Sequence, residues 1–317
     1  MSRAWIRCMQ THNPQFPFYI PSKGRSQYMM TSKALTKMGI RHYVVVEPQE
    51  VDKYKKASSG LLCTILELDM NYKIKYELCD KFGLSKSTGP GPARNFCWEH
   101  SIKNGFKRHW VMDDNILRFW RFNKNMKIPC ASASIWTAME DFCLRYKNIA
   151  MAGPNYYFFI PRKNKIRPII KNTRIYSCNL IMNEIPFRWR GRYNEDTILS
   201  LDMLSKGWCT ALFNAFLQDK EDTQKLAGGC TDEFYGGVAH AGAGAKRYNA
   251  GGTTAKSLML AQQYPDIVKL VHRFNRDHHA VDYKKFKNNK FIKTDEEIKR
   301  ASRENNNYGM ELMKIKK

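Results

Sequence analysis

The amino-acid sequence predicts an α/β fold: a mainly parallel central sheet flanked by helices, followed by a smaller mixed region. Three observations carry that expectation. Short β-branched and apolar segments alternate with helical stretches through the first 115 residues, the order that builds parallel sheets. Those segments end in turns rich in Pro, Gly, Ser and Asp. The chain has 317 residues, 43% hydrophobic and 13% aromatic, which suffices for a sizeable core and excludes a disordered chain.

In order along the chain, Phe18–Ile20 forms a first strand, ended by Pro21-Ser22-Lys23-Gly24. A helix over about 26–37 stops at Gly39. His42–Val46 is a second strand, closed by Glu47-Pro48, and Leu61–Leu68 a third. A helix from about Pro92 to Lys103 stops at Gly105, and Trp110–Met112 ends a fourth strand. Ligands of such sheets sit beyond the carboxyl ends of the strands. Farther on, Ser132–Tyr146 reads as helix. Tyr156–Ile160 and Arg174–Met182 read as strands flanking a basic loop. Asn194–Ser205 reads as helix stopping at Gly207, and Trp208–Phe216 as strand. Glycines crowd from Gly228 to Gly252 before a helix over 253–263. A polar, Lys-rich stretch follows from Asp277, and no internal repeat is visible.

No apolar run approaches the ~20 residues of a membrane span, and the segment 1–14 lacks the apolar core of a secretory signal. A soluble, cytoplasmic protein is expected. Nine cysteines without a C-x-x-C pair suggest buried thiols rather than zinc or disulfides. The net charge is +24, which attracts polyanions. Between Pro161 and Arg192 there are nine basic residues and one acid, Glu184, a local +8. Arg162, Lys163, Arg188, Arg190 and Arg192, with Trp189 and Tyr193 interleaved, suit phosphates and unstacked bases. A solubilising face or an anionic membrane is the competing reading.

Asp113-Asp114-Asn115 follows the apolar Trp110-Val111-Met112. Carboxylates at the end of a buried strand are close together and half desolvated, which suits a hard divalent cation. Mn²⁺ or Mg²⁺ there would neutralise a diphosphate leaving group. The same triplet also suits a turn or a helix N-cap before Ile116–Phe122, and these residues alone leave both open. Upstream, Gly89-Pro90-Gly91-Pro92-Ala93-Arg94-Asn95 is a Gly-rich turn opening a helix, where backbone N–H groups bind anions. Glu195 and Asp196 open a later helix after Asn194. They serve either as ordinary first-turn acids or as a general base for an acceptor hydroxyl, with Asp196 preferred. Pro21, Ser22, Lys23 and Arg25 follow the first strand, and Glu47 and Asp69 follow the second and third. His240, in the glycine segment, is a candidate metal ligand, and His278-His279 could face an acceptor.

The pattern Ile-Pro-Ser-Lys-Gly-Arg, Gly-Pro-Ala-Arg-Asn, Met-Asp-Asp-Asn-Ile and Asn-Glu-Asp, with the late Gly-Gly-Thr-Thr-x-Lys and Arg-Asp-His-His-x-Val-Asp, resembles GT-A glycosyltransferases. It is most similar to the TET/JBP-associated group, many of them phage-encoded, over most of residues 16–290. The resemblance implies a GT-A fold with a Rossmann-type sheet. A nucleotide-sugar half would cover 1–125, an acceptor and catalytic half 126–290, and a basic tail 291–317. It implies a UDP-sugar donor (glucose or arabinose) held by Pro21, Ser22, Lys23, Arg25, Glu47, Gly91, Arg94, Asn95, Asp113 and Asp114. A divalent metal would sit on Asp113, Asp114, Asn115 and His240, with Asp196 and Glu195 at the chemistry. The implied acceptor is the hydroxyl of 5-hydroxymethylcytosine or a related pyrimidine in DNA, contacted by Arg162, Lys163, Arg188, Trp189, Arg190, Arg192, His278 and His279. The resemblance further implies phage DNA hypermodification that protects against host restriction. No membrane and no obligate protein partner is implied. Asn115 departs from the acidic triplet of the family, since a neutral amide is a weaker ligand. Transfer to a glycan or protein, or a metal-dependent nuclease, are the alternative readings.

Overall fold

The computed structural model describes residues 13–80, 87–163, 166–221, 226–229, 252–273 and 276–302. Four strands, β1 (Phe18–Pro21), β2 (His42–Val46), β3 (Cys63–Glu67) and β4 (Arg108–Met112), pair in parallel in the order β3-β2-β1-β4. Their side chains alternate between two cores, as a two-residue period requires. Phe18, Ile20, Val44, Val46, Trp110 and Met112 enter one; Tyr19, Val45 and Val111 enter the other, with Trp98. Helices α1 (Met30–Lys37), α2 (Val51–Ala57), the single turn α3 (Asn71–Ile74) and α4 (Gly91–Lys103) make the connections.

The sheet continues past β4 without a break, through β9 (Cys178–Met182), β7 (Ile149–Tyr156), β10 (Cys209–Lys220), β5 (Ile116–Asn123) and β6 (Met126–Cys130). The short β8 (Ile169–Lys171) also pairs with β10. In this half only β7 and β10 run parallel; the other pairings are antiparallel. The mixed region is therefore the larger part of a ten-stranded sheet, and consecutive parallel pairings are confined to its first four strands. Helices α5 (Ser134–Leu144), α6 (Glu195–Ser205) and α7 (Gly252–Gln263) and a separate hairpin, β11 (Val268–Arg273) with β12 (Arg276–Val281), complete the described core.

Of the two roles left open for the triplet's local structure, the turn holds and the helix cap does not: Ile116–Phe122 is strand, and it turns back at Lys124-Asn125, both at positive φ, as a tight hairpin requires. The acidic triplet is held instead from α1, where the Thr31 hydroxyl donates to the Asp113 carbonyl (2.6 Å) and accepts from the Ile116 N–H (2.8 Å). Tyr156 ends β7, and the next three residues form a 3-10 turn. β7 has weak sequence signals because it contains Gly153 and Pro154, residues disfavoured within strands. Gly153 is needed there, since a Cβ would lie 2.1 Å from the Cys178 carbonyl oxygen. The seven described cysteines are free thiols.

Candidate active site

The carboxyl ends of the parallel strands open into one cleft. Pro21, Ser22, Lys23 and Arg25 line it after β1, Val45 and Glu47 at β2, and Leu68 and Lys73 beyond β3. The start of α4 contributes Gly89, Pro90, Ala93 and Arg94, and β4 leads into Asp113, Asp114 and Asn115. Glu195 from α6 and Lys220 from the end of β10 close the far side.

Charge is organised around the aspartates. Asp113 accepts from Arg94 (2.6 Å) and from Lys220 (2.5 Å). Burial alone would raise its carboxyl; Lys220 and Arg94 outweigh burial and hold it well below the usual carboxylate range. Lys220 also donates to the Ser177 hydroxyl (3.0 Å). Asp114 accepts from the Ser22 hydroxyl and from Arg25, both at 2.6 Å. Arg25 reaches on to the carbonyls of Ala227 (3.1 Å) and Gly228 (2.9 Å), and Gly228 is required because a Cβ would meet the Gly24 carbonyl at 2.4 Å. Glu47 pairs with Lys73 and with Lys23 (3.0 Å) and accepts from Gln49 (2.7 Å). Burial would raise Glu47, but these donors bring it down to about 2.

The first turn of α6 divides two neighbouring carboxylates. Glu195 points into the cleft, 3.3 Å from Arg94. Burial raises it to about 7 against the opposing pull of Arg94. Asp196 accepts from the Thr197 N–H (2.7 Å) and lies in the electrostatic reach of Arg174, Tyr176 and Tyr283. Arg174 donates to the Thr197 hydroxyl (2.9 Å) and covers the Tyr176 ring (4.3 Å). His279 on β12 joins this group; burial, then Arg174 and Lys256, lower it to about 4, so it is neutral at physiological pH. Asn194 precedes the helix in a left-handed conformation, and its side chain donates to the Lys256 carbonyl (2.9 Å) rather than capping.

The metal expectation meets a donor set that does not fit. Both Asp113 oxygens and both Asp114 oxygens already accept from cationic or hydroxyl donors. The Asn115 amide donates to the Glu221 carbonyl (3.2 Å). Among the described residues no three His, Cys, Asp or Glu side chains converge; His240 lies outside the described residues. Two further donor-site residues do not line the cleft. Gly91 packs beneath Tyr76, whose hydroxyl would be 1.8 Å from a Cβ there. Asn95 exchanges hydrogen bonds with the Trp189 backbone (2.8 and 2.9 Å).

The basic segment also divides. Arg162 and Lys163 are exposed. Trp189 and Arg192 are buried in the protein, which corrects the expectation that they meet DNA. Trp189 lies under the Arg94 guanidinium (4.6 Å), and Arg192 is paired with Asp80 (2.6 Å). Arg190 makes a two-pronged bond to Asp202, both contacts at 2.9 Å, and reaches Tyr264 (3.0 Å). Arg188 pairs with Glu99 (2.9 Å) over Trp98. The acids lie outside 161–192, so a charge count confined to that segment does not see them. Lys220 escaped the sequence reading because only strand pairing brings it to the cleft, and Lys73 because it lies on the single turn α3, several residues past the end of β3.

A cleft lined by paired cations and carboxylates beyond the strand ends, with a carboxylate on a facing helix, gives an α/β protein with a polar, charged site. The chain belongs to the TET-associated glycosyltransferase family, whose model matches residues 16–229. It is a glycosyltransferase. No curated protein matches the chain. No described helix is long and apolar enough to cross a membrane.

Proposed function

We propose that the chain is a GT-A enzyme transferring a sugar, glucose or arabinose, from a UDP-sugar to the hydroxyl of 5-hydroxymethylcytosine or a related hydroxylated pyrimidine in DNA. The observation that carries this reading is the division at α6. Glu195 faces the cation-lined cleft, and Asp196 faces a separate group of Arg174, Tyr176 and His279. One side suits a diphosphate donor and the other an acceptor. Asp196 takes the proton of the acceptor hydroxyl as that oxygen bonds to the anomeric carbon. The bond from that carbon to the diphosphate breaks, and the diphosphate leaves with the electron pair. Its charge falls on Arg25, Arg94 and Lys220, preorganised donors in a half-buried site. In this reading these three cations, rather than a divalent ion, neutralise the leaving group. Burial raises the Glu195 carboxyl, which lessens its repulsion of the diphosphate.

The test is mass spectrometry of nucleosides from hydroxymethylcytosine DNA incubated with the protein and a panel of nucleotide sugars. A mass increase of one hexose or pentose on the base is expected. Transfer to glycans or proteins with none to DNA would overturn the acceptor assignment.

A further inference from the structure

The turn that follows β7 exposes an aromatic surface that no part of the donor cleft uses. Phe158 is 62% exposed and Phe159 49%. The Tyr156 ring lies between two near-parallel neighbours, Phe158 (5.4 Å, 11°) and Tyr176 (5.0 Å, 15°). Phe159 packs edge-on to Phe158 (4.5 Å) and Tyr156 (5.3 Å). Leaving two phenylalanines in water forgoes the stabilisation their burial would bring, and contiguous exposed apolar surface marks a binding face.

The rim of this surface is cationic. Lys127 lies over the Tyr157 ring (3.9 Å), and Arg118 lies over Trp120 (5.7 Å), which packs on Tyr157 (4.7 Å). Burial and then the charge of Arg162 lower Lys127, against Asp219, which pairs with Arg118 (3.5 Å). Aromatic faces within a cationic rim are the arrangement that holds single-stranded nucleic acid, bases on rings and phosphates on cations. The stack also runs to the chemistry. Tyr176 lies beneath Arg174 in the reach of Asp196. The Tyr156 hydroxyl bonds Ser177 (2.6 Å), which accepts from Lys220. Phe158 is the outer ring of the three, one ring beyond Tyr156 from Tyr176, so a base upon it is a neighbour of the base presented to Asp196.

We propose that the Phe158–Phe159 turn is a stacking platform for an unpaired base flanking the one to be glycosylated, so that the acceptor strand is single-stranded or locally opened. The proposal rests on the reading of DNA as acceptor. The experiment uses the full chain, as wild type and as Phe158→Ala, Phe159→Ala, the double variant and Phe158→Trp. The probe is a hydroxymethylcytosine oligonucleotide with 2-aminopurine beside the target, offered single-stranded and as duplex. Expected are quenching of 2-aminopurine by wild type and Phe158→Trp, and binding weakened about 5- to 150-fold per lost ring, the range for one base–aromatic stack. Nucleotide-sugar affinity should be kept in all variants, since neither ring lines the donor cleft. Wild-type transfer to DNA with unchanged binding and quenching in the double variant would overturn the platform. Quenched, ring-dependent binding without transfer from any donor would leave the platform standing and overturn the glycosylation reading. Binding of vesicles or protein by this face, with no oligonucleotide bound, would overturn it as well.

Discussion

Replacing Lys220 with methionine tests how the leaving group is neutralised. The ammonium is 2.5 Å from Asp113 and its side chain is 15% exposed. Burial would lower its pKa; Asp113 and then Tyr156 hold it well above the ordinary lysine value, so it is charged throughout the working range. Arg25, Arg94 and Lys220 face Asp113 and Asp114, three positive charges against two negative. The variant takes that surplus of +1 to zero before the diphosphate arrives. A unit charge about 4 Å from a phosphate oxygen is worth about 4 kcal/mol at an effective dielectric constant near 20, and loss of one preorganised donor typically slows a reaction about 10²–10³-fold. A fall of that size in single-turnover transfer is expected. Removing one partner of a buried pair costs about 3–5 kcal/mol. The cost here should lie below that, because Arg94 still serves Asp113; thermal unfolding checks it. The assay is run in excess chelator and with added Mn²⁺ or Mg²⁺. Wild-type turnover that chelator abolishes and metal restores, with less than tenfold loss in Lys220→Met, would refute the reasoning and return Asp113 and Asp114 to metal ligation.

Asp196→Asn should lower kcat by at least about 100-fold, the low end for a general base, with donor and DNA affinity kept; single-turnover kinetics and both affinities decide it. Glu195, raised from 4.5 to about 7 in the folded protein, keeps a proton that the unfolded chain has released. Its contribution is full below about pH 4.5 and is lost as pH rises toward 7, at up to about 1.4 kcal/mol per unit. Glu195→Gln should therefore gain stability relative to wild type between pH 5 and 7, read from urea midpoints. Arg190→Glu should destabilise the fold through repulsion with Asp202, whereas Arg162→Glu with Lys163→Glu should spare stability and weaken DNA binding while flattening its salt dependence. Gly91→Ala should cost about 1–3 kcal/mol, the usual penalty of overpacking, because Tyr76 occupies the space of the new Cβ.

Much of the donor side was legible in order along the chain. Strands β1 to β4 each carry a run of β-branched or aromatic residues closed by a turn, and the residues after β1, β2 and β4 line the cleft. Parallel connections put every carboxyl end on one edge, so sequence adjacency to a strand end predicts a place in the site. The second half resisted that logic. β7 holds Gly153 and Pro154 between buried positions, and β5 follows a triplet that suits a helix cap equally well.

What the sequence determined by itself is the α/β class, the Asp113-Asp114 strand end, the Arg94 helix and the Glu195-Asp196 helix start. Each is a local pattern whose meaning depends on residues a few positions away. Only the tertiary structure decided what those groups face. The antiparallel pairing of β10 with β5 sets Lys220 opposite Ile116 and so brings it to Asp113 across 107 positions of sequence. Packing sends Asp80 to Arg192, Asp202 to Arg190 and Glu99 to Arg188, which ties three of the nine basic residues of an apparent DNA-binding stretch into ion pairs within the fold. Charge acts through space over a few ångströms, and the spatial neighbours of a side chain are set by sheet order.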